Sequence, residues 1–457
     1  MAMDLAGELH AILRSDQVDT SRGVAEQHSH DESYHLPVPP EAVVFAESRD
    51  DVVRVMRLAA RVGAPVVAFG AGSGLEGHVV PVRGGISLDM TRMNEVLEVR
   101  PEDFLVRVQA GVTRKQVNEH LRRYGLFFPV DPGADATLGG MAATGASGTT
   151  TVRYGSMREN VRSLEVVLAS GQVIRTGSLA AKSASGYNLN NLFIGSEGTL
   201  GVFTELWLKV WGIPESTVAA RVAFATIEQT VAASTAIIGA GVPVVRMELV
   251  DGPYLKYINA YGKTHYPEIP TLLLEFRGSS AAVEADLETA TTLVALEGAV
   301  DVVQLRDPAE QKQVWDMRHA AAFAFVAGHP GRKHLATDVC VPISKLPEAV
   351  IFAKDQIAEM AVPGAIVGHV GDGNFHVSLA VDPNSSAEVA LADAYSRRLV
   401  EHALAIGGTS TGEHGVGLGK RKFQEQEHGA AIEVMRGIKA LLDPQHILNP
   451  GKLVDVD

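Results

Sequence analysis

The stretch from Asp131 to Gly155 constrains the fold of this chain more than any other, because it is dominated by Gly, Ala and Thr. It opens Asp131-Pro-Gly-Ala-Asp-Ala-Thr-Leu-Gly-Gly-Met-Ala-Ala-Thr-Gly-Ala-Ser-Gly and closes Arg153-Tyr-Gly. With so few large side chains it cannot bury a core of its own. The expectation is irregular backbone wrapped around something else. Small residues allow close approach to a flat ligand, and hydroxyls can donate to phosphate or ring oxygens.

The rest of the chain has ample material for cores. Its 457 residues are 46% hydrophobic and 21% charged, enough for three domains or two larger ones. Against 40 basic residues stand 54 acidic ones, a net charge of −14, and no Lys/Arg stripe forms. Nucleic acid is therefore not an expected partner, since phosphate binding needs clustered positive charge. The single cysteine, Cys340 in ATDVCVP, can form neither an internal disulfide nor an iron–sulfur site alone, and reads as a buried structural thiol. The N-terminus lacks the basic and apolar regions of a secretory signal, and no apolar run is long enough to cross a bilayer. A soluble, cytoplasmic protein is expected.

Local signals place elements along the chain. Ser48-Arg-Asp-Asp51 has the spacing of a helix capping box, with Val52, Val55, Met56, Ala59 and Val62 as its apolar face and Gly63 as its stop. Strands are expected at 65–69, 85–89, 105–109, 163–168, 172–174 and 202–210, and a second capped helix begins at Thr113. Beyond Pro214 the order becomes strand 218–225, helix 226–240, strand 244–249, strand 272–276, helix 280–296, strand 302–305. Two β-α-β units in succession suggest a ferredoxin-like second domain. From about Glu388 the chain reads as mostly helical.

Gly72-Ser-Gly74-Leu-Glu-Gly77 matches the dinucleotide-binding pattern GxGxxG and follows a strand. That motif requires a helix directly afterward. Here His78-Val-Val-Pro-Val follows, β-branched and broken by proline, so no such helix can start. The chemistry survives without the motif, because closely spaced glycines still turn N–H groups toward a phosphate. Taken alone, a ligand-free glycine hairpin is an equal reading.

Three pieces taken together, Phe69–His78, Asp131–Ser156 and Gly195–Glu205, resemble in order and spacing the flavin domain of the vanillyl-alcohol-oxidase type. Gly368-His-Val-Gly-Asp-Gly-Asn-Phe-His376, Thr411-Gly-Glu-His-Gly-Val-Gly417 and Asn449-Pro-Gly-Lys-Leu453 extend the resemblance to the FAD-dependent D-lactate, glycolate and D-2-hydroxyglutarate dehydrogenases, D-lactate dehydrogenases above all. The resemblance implies an α+β chain: a two-subdomain FAD-binding domain over 1–213, a ferredoxin-like substrate (cap) domain over 214–400, and a segment over 401–457 that completes the active site and packs back on the FAD domain. It gives Gly70, Ala71, Gly72, Ser73, Gly74 and Gly77 to the pyrophosphate, with His78 where some relatives attach flavin covalently; non-covalent FAD is expected. Pro132, Gly133, Thr137, Gly139, Gly140, Thr144, Gly145, Ser147 and Gly148 line the ring and ribityl chain, as do Gly198, Gly201, Val202 and Thr204. Tyr154, Gly155 and Glu197 complete the cofactor set.

A metal site is suggested by Ile366–Val370 and Phe375–Leu379, two strand-like runs around Gly371-Asp-Gly-Asn374. If those four residues form the loop, His369 faces His376 with Cβ atoms ~5 Å apart. Without the family, a polar hairpin with two cross-strand histidines fits as well. With it, Glu413 becomes the third ligand of a Zn²⁺ or Mn²⁺ ion with open positions. The resemblance makes His414 the general base, Arg318 the carboxylate-binding arginine and Lys333 a second basic position. Where the hydroxyglutarate branch has polar contacts this chain has Ala322 and Ser378, which favours a small substrate.

The reaction implied is oxidation of a small 2-hydroxy acid, D-lactate first, with electrons passed to a cytochrome, a quinone system or an electron-transfer flavoprotein. Glycolate or D-2-hydroxyglutarate as substrate, direct use of O₂, and a flavoprotein subunit of a larger complex remain alternatives, and a homodimer is among the expectations. A metal hydrolase without flavin leaves Asp131–Gly155 unexplained.

Overall fold

The computed structural model describes residues 4–454. It divides into two compact units: the chain up to Ser147 with Gly155–Ile213 and everything from Glu413, and Gly148–Tyr154 with Pro214–Gly412. The last segment thus departs at Glu413 and not at 401, because the helix Ser386–Ala405 packs on strands of the second unit. No helix among the described residues is long and apolar enough to cross a membrane.

The first unit carries two larger sheets and a two-stranded one that pairs Leu126–Phe127 with Trp211–Gly212. One larger sheet is built of β1 (Val18–Asp19), β2 (Ala42–Phe45), β3 (Val66–Phe69) and β4 (Ile86–Asp89) in the order β1-β2-β4-β3, with β4 parallel to both β2 and β3 and β1 antiparallel to β2. Helix α1 (Arg49–Val62) connects β2 to β3. Ser48 accepts from the Asp51 N–H, Asp51 returns a bond to the Ser48 N–H, and Gly63 ends the helix at φ 71°. The second sheet is antiparallel: β5 (Val96–Arg100), β6 (Leu105–Gln109), β7 (Val161–Val167), β8 (Val173–Arg175) and β9 (Val202–Lys209), ordered β5-β6-β9-β7-β8.

The glycine- and alanine-rich stretch is less irregular than expected. It holds a helix at Leu138–Thr144, capped by Thr137 accepting from the Gly140 N–H and stopped by Gly145 at φ 69°. Its small residues serve packing too: a Cβ on Gly139 would lie 2.7 Å from that of Ala110. Short helices follow at Thr151–Tyr154 and Met157–Asn160.

The second unit begins with β10 (Ser216–Phe224), α2 (Ile227–Gly239), β11 (Arg246–Val250), α3 (Gly252–Gly262), β12 (Thr271–Gly278), α4 (Ser280–Leu296) and β13 (Ala299–Leu305). Its strands pair in the order β13-β10-β12-β11, all antiparallel, which is the ferredoxin-like arrangement. Three more strands widen the sheet beyond β11: β14 (Lys333–Ala336), β15 (Gly364–Gly368) and β16 (Asn374–Val381), ordered β15-β16-β14. On one face lies a core of Tyr254, Leu255, Trp315, Phe325 and Val367, supplied largely by α3, α5 (Pro308–His319) and α6 (Ala321–Ala327).

Asp251 caps α3, accepting from the Tyr254 N–H at 2.9 Å and from the Ile366 N–H of β15 at 2.6 Å. Burial raises its carboxyl from 3.8 to about 7 against those bonds. The folded state therefore holds a proton that the unfolded chain releases near pH 4, and the stability this contributes is lost as pH rises toward about 7. Thermal midpoints of the wild type are expected to fall across that window, and Asp251→Asn, which cannot ionise, is expected to flatten the fall.

Candidate functional site

After β3 the first unit enters the glycine turn, with Gly72 and Gly77 at φ 65° and 78° and no helix behind them. Among the described residues, no backbone carbonyl accepts the N–H groups of Ala71, Gly72, Ser73 or Gly74. A half-open turn of such donors suits a phosphate. The other pieces close on it within the same unit. A Cβ on Gly70 would lie 2.3 Å from Thr137 Oγ1, and Gly145 passes the backbone of Gly195. The N–H groups of Gly195 and Glu197 donate to Ala142 and Ala143 at 2.9 and 2.8 Å. This unit thus fits FAD through donors and close backbone.

Two residues given to the cofactor instead spend their side chains inside the protein. Buried His78 folds beneath the turn, its Nε2 3.4 Å from Glu197 and its Nδ1 4.0 Å from Asp31. Burial opposes its charge, yet Glu197, Asp31 and Glu76 raise its proton affinity overall. Glu197, at φ 53°, accepts from the N–H groups of Val416 and Gly417 at 2.6 and 2.9 Å. Burial works to raise its carboxyl, but His78 and those two donors hold it below the usual range. Thr204 is also committed, donating to Glu165 at 3.0 Å. Ser147 donates to Glu413 at 3.0 Å, and His414 follows Glu413 in the same unit. Gly148 and Tyr154 fall in the second unit.

The C-terminal segment supplies ties that the sequence reading missed. Asn449 Nδ2 donates to the carbonyls of His78 and Glu197 at 3.0 and 2.7 Å. Lys452, pushed down to about 8 by burial, donates to Val80 at 2.6 Å.

In the second unit the histidine hairpin has another register than expected. His376 pairs with Val367 and not with His369, because the turn starts at His369. Asp372 N–H donates to the His369 carbonyl, Gly373 takes φ 79°, and a Cβ on Gly368 would collide with Phe375. The slip is two residues, so His369 keeps the face of His376. The rings meet edge-on with centroids 5.4 Å apart.

Each imidazole is oriented through Nδ1. That of His369 bonds Glu248 at 2.7 Å; that of His376 lies 3.2 Å from the Thr337 carbonyl and 3.5 Å from Asp338. Such outer partners leave Nε2 as the ligating atom, so the pair fits a divalent ion. Neither carboxylate was anticipated. Glu248 is fully buried at an inward position of β11, the one available signal.

Arg318 binds Glu248 through Nε at 2.9 Å and Nη2 at 2.6 Å, so one edge of its fork is already occupied. Lys333 departs from expectation more sharply. It is exposed and pairs with Val381, so alternation along β14 turns it to the face opposite His376. His334 takes the inward place, its Nε2 2.7 Å from Ser378 Oγ, which also bonds the Tyr254 hydroxyl. Burial, aided by the charge of His376, lowers His334 to about 4. Ala322 sits in α6, and half-buried Cys340 contacts the Asp372 carbonyl.

Comparison with known proteins gives the family and the fold. A family model of an FAD binding domain matches residues 40–177, and one of the C-terminal domain of FAD linked oxidases matches residues 213–453. A probable mitochondrial D-lactate dehydrogenase of Danio rerio is 44% identical, covering 99% of this chain and 92% of its own. The mitochondrial D-lactate dehydrogenase [cytochrome] of Arabidopsis thaliana is 40% identical, covering 92% and 75%. Glycolate oxidase subunit GlcD of Bacillus subtilis is 32% identical, covering 99% and 97%. Among solved structures, 4-ethylphenol oxidase from Gulosibacter chungangensis superposes with a TM-score of 0.80 at 18% identity, covering 98% of this chain and 96% of its own, a likeness of fold of the vanillyl-alcohol-oxidase type. Fold and site define an FAD-linked oxidoreductase. The chain belongs to the FAD-linked oxidase family that includes the D-lactate dehydrogenases and GlcD.

Glu197→Ala would strand His78 and two N–H groups, at about 1–3 kcal/mol for each buried group left unpaired. A lower thermal midpoint and a lower flavin-to-protein absorbance ratio are the expected results.

Proposed function

We propose that the protein oxidises a small D-2-hydroxy acid, with D-lactate as the first candidate, to the 2-oxo acid and passes the electrons to a separate acceptor. The observation that carries this reading is the row Arg318–Glu248–His369 beside His376, a cation and two oriented imidazoles on one sheet face. Such a row suits a substrate bearing a carboxylate next to a hydroxyl. The names of the relatives from Danio rerio and Arabidopsis thaliana support D-lactate, and the second supports a cytochrome as acceptor.

Arg318 binds the substrate carboxylate with the guanidinium edge that Glu248 leaves open. His369 and His376 would hold a divalent ion, Zn²⁺ or Mn²⁺, which would supply Lewis acidity toward the hydroxyl oxygen. Glu413 would be its third ligand. Gly412 packs on the hairpin, where a Cβ would lie 2.1 Å from Asn374 Nδ2, and the Glu413 Cα follows about 3.8 Å along the chain. His414 takes the hydroxyl proton as general base. Bound FAD supplies the two-electron acceptor for the Cα hydride.

The test is anaerobic mixing of purified protein with D-lactate, L-lactate, glycolate and D-2-hydroxyglutarate while the visible flavin band is followed. Bleaching by D-lactate, abolished by a chelator and in His414→Ala, is expected; no bleaching by any of the four would sink the substrate class. Glu248→Gln is expected to weaken metal retention about 10–100-fold, read by metal analysis after dialysis.

A further inference from the structure

Ser378 follows His376 by two residues on β16, so their side chains share one face, one strand repeat apart. Across the sheet the order β11-β15-β16-β14 puts Glu248 and its partner Arg318 on one side of His376 and His334 on the other. A substrate whose carboxylate meets Arg318 and whose hydroxyl meets the histidines therefore sends its remaining carbons toward Ser378 and β14.

The chemistry at that end is closed and neutral. Ser378 Oγ lies between the Tyr254 hydroxyl and His334 Nε2 and is hydrogen-bonded to both. Ala336 and Ala365 pair with Ser378 from the flanking strands. Phe325 packs on both Tyr254 and His334, with centroids 5.4 and 5.8 Å away. Of the cations near this end, Lys333 is on the opposite face, Arg332 is bound to Glu388 at 2.6 Å, and Arg318, whose charge reaches Tyr254, is bound to Glu248.

We infer that Tyr254 and His334, locked through Ser378, are specificity-determining residues that admit 2-hydroxy acids with short, uncharged side chains and exclude those ending in a second carboxylate. The inference rests on the 2-hydroxy-acid reading above. A methyl or short alkyl group gains by burial against alanine and phenylalanine, whereas a terminal carboxylate would be desolvated beside neutral groups, with Arg318 already taken by the first carboxylate.

The experiment compares kcat/KM for D-lactate, D-2-hydroxybutyrate and D-2-hydroxyglutarate in the FAD-loaded wild type, His334→Lys and Tyr254→Phe. In the wild type the two monoacids are expected to exceed the diacid. His334→Lys, which brings a cation to this end, is expected to raise the diacid-to-lactate ratio about tenfold or more. Tyr254→Phe, which releases one valence of Ser378, should raise the same ratio less. Where the lysine variant fails to retain flavin, Tyr254→Phe decides alone. Flavin-loaded variants with unchanged ratios overturn the assignment of these residues while leaving the reaction standing. A wild type that oxidises none of the three overturns the reading and this inference with it.

Discussion

The first unit depends on one buried carboxylate. Its chain comes in three separated segments, and Glu197 is where they are tied. The residue sits at positive φ, a conformation costly for a side chain with a Cβ, and surrounding bonds hold it there. Its carboxylate takes two N–H groups from the returning C-terminal segment and lies against His78, while Asn449 caps the carbonyls of both. An isolated buried carboxylate would carry a large desolvation cost. Here the charge is met by an imidazole of raised proton affinity and by oriented donors, so the glycine turn, the 195–198 loop and the 415–417 loop are held as one piece.

The second unit solves a related problem at Glu248 and Asp338. Both are fully buried, and each has more than one role. Glu248 bonds Arg318 and His369 together; Asp338 lies near His376 and accepts from Asn374 and Thr411 at 2.7 Å each. A carboxylate that orients a histidine also raises its basicity as a ligand. The residues that would touch substrate or metal are thus positioned by acids that touch neither: Glu248 sits on β11, and Asp338 in the two-residue link between β14 and the strand Val339–Cys340.

What was legible in the sequence follows from the range of the interactions. The helix after Ser48 is written in four adjacent residues, and the alternation of strands and helices after Pro214 is enough to specify the ferredoxin-like order. The helix at Leu138–Thr144 was not legible because its apolar face is only Leu138, Met141 and Ala142 among glycines, and Gly139 packs against Ala110, distant in the chain. The pairing of Glu248 with His369 spans 121 residues, and only an acid inside the apolar run RMELV hinted at it. Lys333 was misplaced because a motif gives residue identity, whereas the pleat of β14 decides which of two neighbours, Lys333 or His334, faces inward.

The hairpin shows why a site can survive an error in its derivation. The expected loop of four residues and the observed turn at His369 differ by a slip of two, and a slip of two restores the parity of every side chain. A slip of one would have sent His369 to the opposite face and dissolved the pair. Period-two geometry makes the face on which a residue acts more robust than the partner it stands opposite. The same rule, applied to β14, turns Lys333 away from the face of His376 and His334 toward it. Parity is therefore the stronger constraint here: it sets Glu248, with Arg318 bound to it, on the face of the histidine pair, and a neutral hydroxyl–imidazole row at the other end.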